Sequence, residues 1–317
     1  MSNMTVSPLG QANLAGASDA LFLKVFGGEV LTAFNETEVM SDKHIVRTIE
    51  HGKSAQFPAT WKANAAYHTP GNQILGANQI RHGERTISID DLLVADTFIA
   101  SIDEAKNHYD VRSIYSAQLG AALARAYDTK LLQVAILAAR ASAVVTGAFG
   151  GSAITDADAR TNGESLAGSI FDAAQVLDEK DVPENDRYAI VKPAQYYLLA
   201  QTTKVLNKDW NGAGSYSDGK ITRISDIVIV KSNNLPQGVV AGASGENNTY
   251  SGTFTNVAAA VFQKSAVGTV KLMDLAVQKT ADDGDFATMY QGTLMVAKYA
   301  MGHGLLRPEC AVEVKIA

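Results

Sequence analysis

The chain has 317 residues, of which 46% are hydrophobic and 19% are charged, and its formal net charge is -6. This composition excludes wholesale disorder and a collagen-like repeat, and the acidic balance gives the chain no general electrostatic attraction to nucleic acid. The charged fraction lies below the roughly 25% of an average soluble domain, which is expected if much of the surface becomes interface, because interface cores are depleted of Lys, Glu and Asp.

Three features of the sequence limit its chemistry and its location. Cys310 is the only cysteine, which excludes an intramolecular disulfide framework and a zinc site built from several thiolates. Residues 1–16 have neither a basic start nor an apolar run, so we expect no secretory signal. The longest mainly apolar region, residues 131–139, is about half as long as a bilayer span, so we expect no membrane segment and no membrane partner.

The first 43 residues are predicted to form an N-terminal arm. Residues 1–20 are small and polar, and they hold too few apolar side chains to offset the entropy lost on ordering. Residues 21–34, LFLKVFGGEVLTAF, are too apolar for a free tail and must dock elsewhere. The Gly27-Gly28 pair in this segment is a candidate hinge, and an ordinary turn is the alternative interpretation.

Residues 44–90 have the pattern of an extended hairpin. Residues 45–50 alternate with a period of two, His51-Gly52 is a turn signal, and residues 54–57 are a possible return strand. Residues 59–85 then carry many turn formers and little periodicity before a strand pattern resumes at residue 86. A loop of roughly 25 residues is rare inside a compact domain and is usually functional or ordered by a partner.

Residues 105–143 form the strongest predicted helix. The segment contains no proline, and its apolar stripe changes direction near Asp128. This change indicates either a helix that packs against different neighbours along its length or a kink at that point. Residues 147–152 break the pattern and mark a domain boundary, where Gly150-Gly151 is a second candidate hinge or an ordinary turn.

The remainder of the chain alternates between helices and strands, which predicts a mixed domain. The capping-box pattern Thr161 to Glu164 starts a helix that Pro183 stops, and Pro193 starts another. The later strand-like segments need partners, and the earlier strands at residues 45–50 and 87–98 are available, so the chain is expected to leave one domain and return to it. The predicted strands lie at residues 188–191, 227–230, 257–262, 267–272, 294–299 and 312–316, with a Gly/Ser/Asn-rich loop at 238–256.

No motif carries catalytic chemistry. Gly52-Lys53-Ser54 resembles the end of a phosphate-binding loop, but Arg47 stands where its first glycine is required, so a turn is favoured over a nucleotide-dependent enzyme. The six histidines form no metal-binding spacing, and residues 242–245 lack a spacer of the nucleophile elbow. We therefore predict no catalytic residues, no cofactor and no metal, and a protein that is not an enzyme.

Five segments carry a resemblance to a known family. They are LFLKVFGGEVLTAF at 21–34, GKSAQFP at 52–58, NHYDVRS at 107–113, SAVGTVKL at 265–272, and AKYAMGHG with LRPE at 297–309. In this order they closely resemble the major capsid proteins of short-tailed bacteriophages of the T-seven type, the podoviruses. The resemblance covers nearly the whole chain and is weakest at residues 144–262.

The resemblance implies an α+β fold of the Hong Kong 97 capsid type. Its parts would be an N-terminal arm, an E-loop hairpin, a peripheral domain with a long spine helix, an axial domain and a return to the peripheral domain. The corresponding residues are 1–43, 44–90, 91–146, 147–261 and 262–317. Because the resemblance is weak in the axial domain, its loops are not specified.

The same resemblance implies a structural major capsid protein. Such a protein self-assembles as hexamers and pentamers into the icosahedral head of the virion and encloses double-stranded DNA without reading its sequence. Its expected partners are a scaffolding protein and a portal during assembly in the host cell cytoplasm, with possible decoration proteins on loops such as 238–256. The alternative is an encapsulin-like cellular nanocompartment shell, which would share the fold.

For such an assembly, Phe57, Trp61, Tyr67 and Ile74 are candidate inter-subunit contacts, since aromatic side chains in desolvated pockets carry most interface energy. The alternative is that each covers the core of its own subunit. Because five-fold and six-fold rings must form from one sequence, hinges are also expected. Their candidates are Gly27, Gly28, Gly150 and Gly151.

Overall fold

The computed structural model describes residues 38–65, 67–74, 76, 80–101, 112–202, 223–279 and 289–317. The predicted arm up to residue 37 and the Gly27-Gly28 hinge lie outside the described residues. The chain divides into two compact units. The first comprises Met1–Val39, Asp90–Asp128 and Lys271–Met301, and the second comprises Met40–Ile89, Thr129–Val270 and Gly302–Ala317.

The described residues form helices and strands in alternation. The helices are α1 (Arg112–Arg140), α2 (Gly163–Glu179) and α3 (Pro193–Gln201). None of these described helices is long and apolar enough to cross a membrane. The strands are β1 (Ile45–Thr48), β2 (Ser54–Thr60), β3 (His82–Ser88), β4 (Leu93–Ala100), β5 (Ser152–Thr155), β6 (Arg187–Val191), β7 (Arg223–Ile224), β8 (Ile227–Lys231), β9 (Val239–Val240), β10 (Gly252–Thr253), β11 (Val257–Gln263), β12 (Val267–Lys279), β13 (Gly292–Leu305) and β14 (Ala311–Lys315).

A six-stranded sheet forms the core of the second unit, in the order β5-β14-β11-β6-β8-β7. Its strand β11 is buried along its whole length, as its unbroken apolar sequence requires for a strand covered on both faces. Helix α2 buries a stripe that includes Leu166, Ile170 and Leu177. The combination of helices with mixed sheets confirms the predicted mixture of secondary structure.

The first unit contains the antiparallel pair β4–β13, which runs from Leu93 opposite Tyr299 to Ala100 opposite Gly292. This pair belongs to a four-stranded sheet with the order β1-β12-β13-β4. Tyr299 is buried and packs edge-on against Tyr127 of α1, with the ring centroids 6.3 Å apart. The expected pairing between an early strand and a late strand is confirmed here.

The predicted helix is shorter at its C-terminal end than the sequence indicated, because α1 ends at Arg140 and not at residue 143. The helix is unbroken at Asp128. The carboxylate of Asp128 is fully buried and accepts the backbone N–H of Val39 at 3.2 and 3.0 Å. The apolar stripe therefore changes direction where a buried carboxylate ties down the incoming chain, and no break in the helix is needed to explain it.

Three local predictions were wrong. Residues 54–57 do not return along β1, because β2 pairs with β3 from Ser54 opposite Ser88 to Thr60 opposite His82. Helix α2 is capped by Asn162 and not by a Thr161 capping box, since the Asn162 side chain accepts the N–H of Glu164 at 3.0 Å. Finally, β14 lies between β5 and β11 in the six-stranded sheet and not beside an early strand.

A buried ion pair joins the end of α1 to β14. The guanidinium of Arg140 donates to both carboxylate oxygens of Glu313 at 2.7 and 2.5 Å, and also to the Thr253 carbonyl at 2.8 Å. Glu313 is only 1% exposed. Its hydrogen bonds raise the pKa of Arg140 and satisfy both carboxylate oxygens, which a buried charge requires.

We predict that Arg140→Ala lowers the free energy of unfolding by about 3–5 kcal/mol, because it leaves the buried Glu313 carboxylate, which is 1% exposed, without its partner. The control is Asp274→Ala, which removes the exposed partner of Lys271 and should cost no more than about 1 kcal/mol. Urea unfolding of the unassembled chain measures both values. Equal losses for the two variants would contradict the assigned role of the Arg140–Glu313 pair.

Candidate functional site at the β2–β3 hairpin

The β2–β3 hairpin reaches the buried core at its root, the end that contains Ser54 and Ser88. Ala55 and Ile87, which lie opposite each other near the root, are buried, whereas the strand residues beyond them alternate between half-buried and exposed. In the described part of the chain, no third strand joins this ribbon. A two-stranded hairpin alone is marginally stable in water, so the part beyond the root depends on other contacts.

The tip of the hairpin carries large apolar side chains in solvent. Tyr67 is fully exposed, Ile74 is 77% exposed and Ile80 is about half exposed. Three large exposed apolar side chains within one short segment make the tip a candidate interaction site. Two of the four predicted contact residues, Tyr67 and Ile74, are thus available for a partner.

The other two predicted contact residues, Phe57 and Trp61, lie against their own chain. The Trp61 ring packs edge-on against Phe149 at a centroid distance of 5.6 Å, and the Arg47 guanidinium lies 5.6 Å from the Phe57 ring. Both aromatic side chains are half-buried. The predicted set therefore divides into Phe57 and Trp61, which pack along the strands and at their distal end, and Tyr67 and Ile74, which the tip presents.

Polar contacts hold the distal ends of β2 and β3 to other segments of the second unit. Arg81 donates to the Thr146 carbonyl at 2.9 Å, and Lys62 contacts the carboxylate of Asp181. Residues 61–82 contain these two basic side chains, two histidines and no Asp or Glu. The tip is therefore a basic segment of a chain whose net charge is -6.

Side chains that the sequence analysis missed hold the root. Asn248 accepts the N–H of Ser88 at 3.1 Å and donates to the Ser88 carbonyl at 2.6 Å. Asn247 donates to the Ile89 carbonyl at 2.7 Å. The Gly/Ser/Asn composition around these residues predicted only a loop, and the single available signal was two consecutive amide side chains within it.

Closely packed glycines form the other wall of the root. A Cβ added at Gly302 would lie 1.8 Å from the Ser88 carbonyl oxygen, and one added at Gly304 would lie 2.7 Å from the Ile87 side chain. Between them, His303 is fully buried, with Nδ1 2.9 Å from the Thr269 hydroxyl. Burial lowers the pKa of His303 well below 6.5, so the imidazole is neutral.

The remaining candidate motifs have structural roles. Gly52 has a φ of +109°, which glycine adopts readily, and the Lys53 carbonyl accepts the N–H of Ile89 at 2.8 Å. A Cβ at Gly151 would come within 2.3 Å of the Ala138 carbonyl, so this position needs glycine for close packing. Hinge motion at Gly150-Gly151 stays a prediction.

Within the described ranges, no group of three or more His, Cys, Asp or Glu side chains is placed to hold a metal.

Comparisons with known proteins point to one family. A family model described as Gp10A-like, major capsid protein, matches residues 56–315. The chain is 35% identical over 324 residues to the major capsid protein of Escherichia phage T7, covering 94% of this chain and 92% of that one. It is 34% identical over 332 residues to the major capsid protein of Enterobacteria phage T3, covering 95% and 93%. The capsid structure of cyanophage P-SCSP1u matches with a TM-score of 0.82 and 45% identity, covering 100% and 99%.

We predict that Gly302→Ala destabilises the fold by about 1–3 kcal/mol or more, because the new methyl group would overlap the Ser88 carbonyl. The matched control is Gly168→Ala in α2, where an added Cβ meets nothing within 4 Å. That change should stabilise the protein by about 0.5–1 kcal/mol. Thermal unfolding measures both variants, and the expected effects have opposite signs. A neutral Gly302→Ala would contradict the close packing at the root.

Buried histidines predict a pH dependence of stability. Burial lowers the pKa of His44, whose Nδ1 lies 2.7 Å from the Met40 carbonyl, from 6.5 to about 4. Between these pH values the unfolded chain binds more protons than the folded one, so stability falls as the pH drops from 6.5 toward 4. His44→Gln should reduce this slope by up to about 1.4 kcal/mol per pH unit in urea unfolding curves. An unchanged slope would contradict a neutral, buried His44.

Proposed function

Because the chain belongs to the Gp10A-like family of phage major capsid proteins, we propose that its β2–β3 hairpin joins neighbouring copies of the chain in the capsid shell. Family membership makes the chain a structural subunit of the virion, which works in a multi-subunit shell, and not an enzyme. The same membership does not favour a cellular nanocompartment, the alternative that the sequence left open.

The observation that carries the proposal is the exposure of the hairpin tip. Tyr67 is fully exposed and Ile74 is 77% exposed, although both are side chains that favour burial. Fully burying an isoleucine side chain is worth about 1.5–3 kcal/mol, and an aromatic ring offers still more apolar area. A second copy of the chain is the partner that a shell brings into contact with every hairpin.

The fixed distal ends of strands β2 and β3 make such docking efficient. Trp61 packs against Phe149, and Arg81 is held by the Thr146 carbonyl, so these residues are already ordered before assembly. A pre-ordered element loses less conformational entropy on binding than a flexible loop does. The distal strand ends therefore contribute order, and the tip contributes new buried area.

The distribution of charge also favours a second copy of the chain as the partner of the tip. The tip region carries Lys62 and Arg81 without any acidic residue between positions 61 and 82, whereas the whole chain is acidic. A basic tip is attracted to an acidic copy of the same chain, which favours correct encounter and makes assembly sensitive to salt. The acidic balance also suits a container for DNA, because a strongly basic inner wall would bind the genome during packaging.

We extend the proposal to the architecture that the family implies. Residues 1–43 form the arm, 44–90 the E-loop hairpin, 91–146 the peripheral domain with α1 as spine helix, 147–261 the axial domain, and 262–317 the return. Copies assemble as hexamers and pentamers into an icosahedral head around double-stranded DNA, with the glycine pairs at 27–28 and 150–151 as hinges. Assembly takes place in the host cytoplasm with a scaffolding protein and a portal, and decoration proteins bind the finished head.

We predict that the double variant Tyr67→Ser/Ile74→Ser loses shell assembly, because each hairpin then lacks its apolar contacts. Every ~1.4 kcal/mol lost per contact lowers the association constant about tenfold. The control is Tyr67→Phe/Ile74→Val, which keeps the tip apolar and should assemble. Negative-stain electron microscopy counts the shells, and circular dichroism shows that both variants fold. Shells at normal yield in the serine variant would overturn the proposed role of the tip.

A further inference from the structure

We propose that Asn248 is the positioning residue that sets the direction in which the β2–β3 hairpin projects. The inference deepens the proposed function and rests on it, since direction matters only if the tip must reach a neighbouring copy. The segment that contains Asn248, residues 243–250, then acts as a brace between the hairpin and the rest of the second unit.

The first support is the way in which Asn248 holds Ser88, the last residue of β3. One amide side chain makes two hydrogen bonds to one backbone residue, accepting its N–H at 3.1 Å and donating to its carbonyl at 2.6 Å. In an antiparallel sheet, two residues that lie directly opposite each other on neighbouring strands exchange the same pair of hydrogen bonds. Because the donor and the acceptor of an amide lie in one plane, the pair fixes the orientation of Ser88 as well as its position.

The second support is that the root is held on several sides. Asn247 donates to the next carbonyl, that of Ile89, at 2.7 Å, and the N–H of Ile89 is bound by the Lys53 carbonyl. Gly302 lies so close to Ser88 that no side chain fits between them. The backbone at residues 88–89 therefore has little room to rotate while these contacts persist.

The third support is that the brace itself is fixed at both ends. Glu246 lies 3.8 Å from the ammonium group of Lys130 in α1, and that ammonium group lies 4.9 Å from the centre of the Tyr250 ring. The Tyr250 hydroxyl accepts the backbone N–H of His303 at 2.9 Å. A loop tied to a helix on one side and to a strand on the other can transmit a fixed orientation to whatever it holds.

Geometry explains why a small change at the root matters. Strand β3 has seven residues and so spans about 23 Å, and a rotation of about 10° at Ser88 would displace its far end by about 4 Å, enough to break the hydrogen bond of the neighbouring Arg81 to the Thr146 carbonyl. Apolar atoms in contact lie within about 4.5 Å of each other, so a further displacement of about 4 Å carries most of them out of contact. Misdirection of the root is therefore expected to weaken assembly without unfolding the subunit.

The test uses Asn248→Asp in the full chain. Aspartate has the shape of asparagine and still accepts the Ser88 N–H, but it replaces the donor to the Ser88 carbonyl by an oxygen that repels it. The matched control is Asn256→Asp, which loses an exposed hydrogen bond of 3.4 Å to the Ala317 carbonyl in the same unit. Both variants gain one negative charge, so charge alone cannot distinguish them.

The measurement is the distance between spin labels at Gln73→Cys, near the tip, and Asp172→Cys, on α2. Both positions are exposed, whereas the native Cys310 is buried and should not react. We expect one narrow distance distribution for the parent and for Asn256→Asp, and a broadened or shifted one for Asn248→Asp. Thermal midpoints should stay close together, and shell yield should fall about tenfold or more for Asn248→Asp only.

The outcomes separate the inference from the proposed function. An unchanged distance distribution in Asn248→Asp overturns the inference, even if the serine variants at the tip block assembly. A broadened distribution with normal shell yield supports the positioning role and overturns the role of the hairpin in assembly. If Asn248→Asp does not fold, the rate of hydrogen exchange of the Ser88 amide in the unmodified chain tests whether the brace holds this residue. Slow exchange supports the brace, and exchange as fast as that of an exposed loop overturns it.

Discussion

The structure depends on one constraint, which is that a two-stranded hairpin cannot bury its own tip. Near the root, Ala55 and Ile87 reach the core, but Tyr67 and Ile74 face solvent because no third strand covers the ribbon within the described residues. A monomer gains nothing from such a tip. The proposed function gives this exposure a use, since in a shell every copy would both present a hairpin and offer a surface to the next one.

The well-packed core of the second unit keeps the subunit folded although the tip of the β2–β3 hairpin is exposed. Its central strand β11 is buried throughout, and the Arg140–Glu313 pair ties the end of α1 to the neighbouring strand β14. At the hairpin root, the absence of a side chain at Gly302 lets the backbone of β13 lie close to Ser88. On another side of Ser88, the side-chain amide of Asn248 donates to the Ser88 carbonyl. Order at the root and exposure at the tip are thus separate properties, supplied by different residues of the same unit.

The sequence predicted the positions of helices and strands better than it predicted which strands pair and which distant side chains are in contact. Helices α2 and α3 and strands β6 and β8 follow from local periodicity, proline positions and apolar runs, which are properties of short segments. Strand β2 was paired with the wrong neighbour because a period of two identifies a strand but not its partner. The burial of Trp61 against Phe149 and the role of Asn248 were invisible for the same reason, since both depend on residues far away in the chain. The family itself was recognised from five segments spread along the whole chain.

The most direct test of the account is a cryo-electron microscopy reconstruction of assembled shells at a resolution that reveals side chains. The account predicts that Tyr67 and Ile74 are buried against a second copy of the chain, while the Asn248–Ser88 hydrogen bonds of the isolated chain persist at the hairpin root. A reconstruction in which the tip remains in solvent, with neighbouring copies joined entirely through other surfaces, would contradict it.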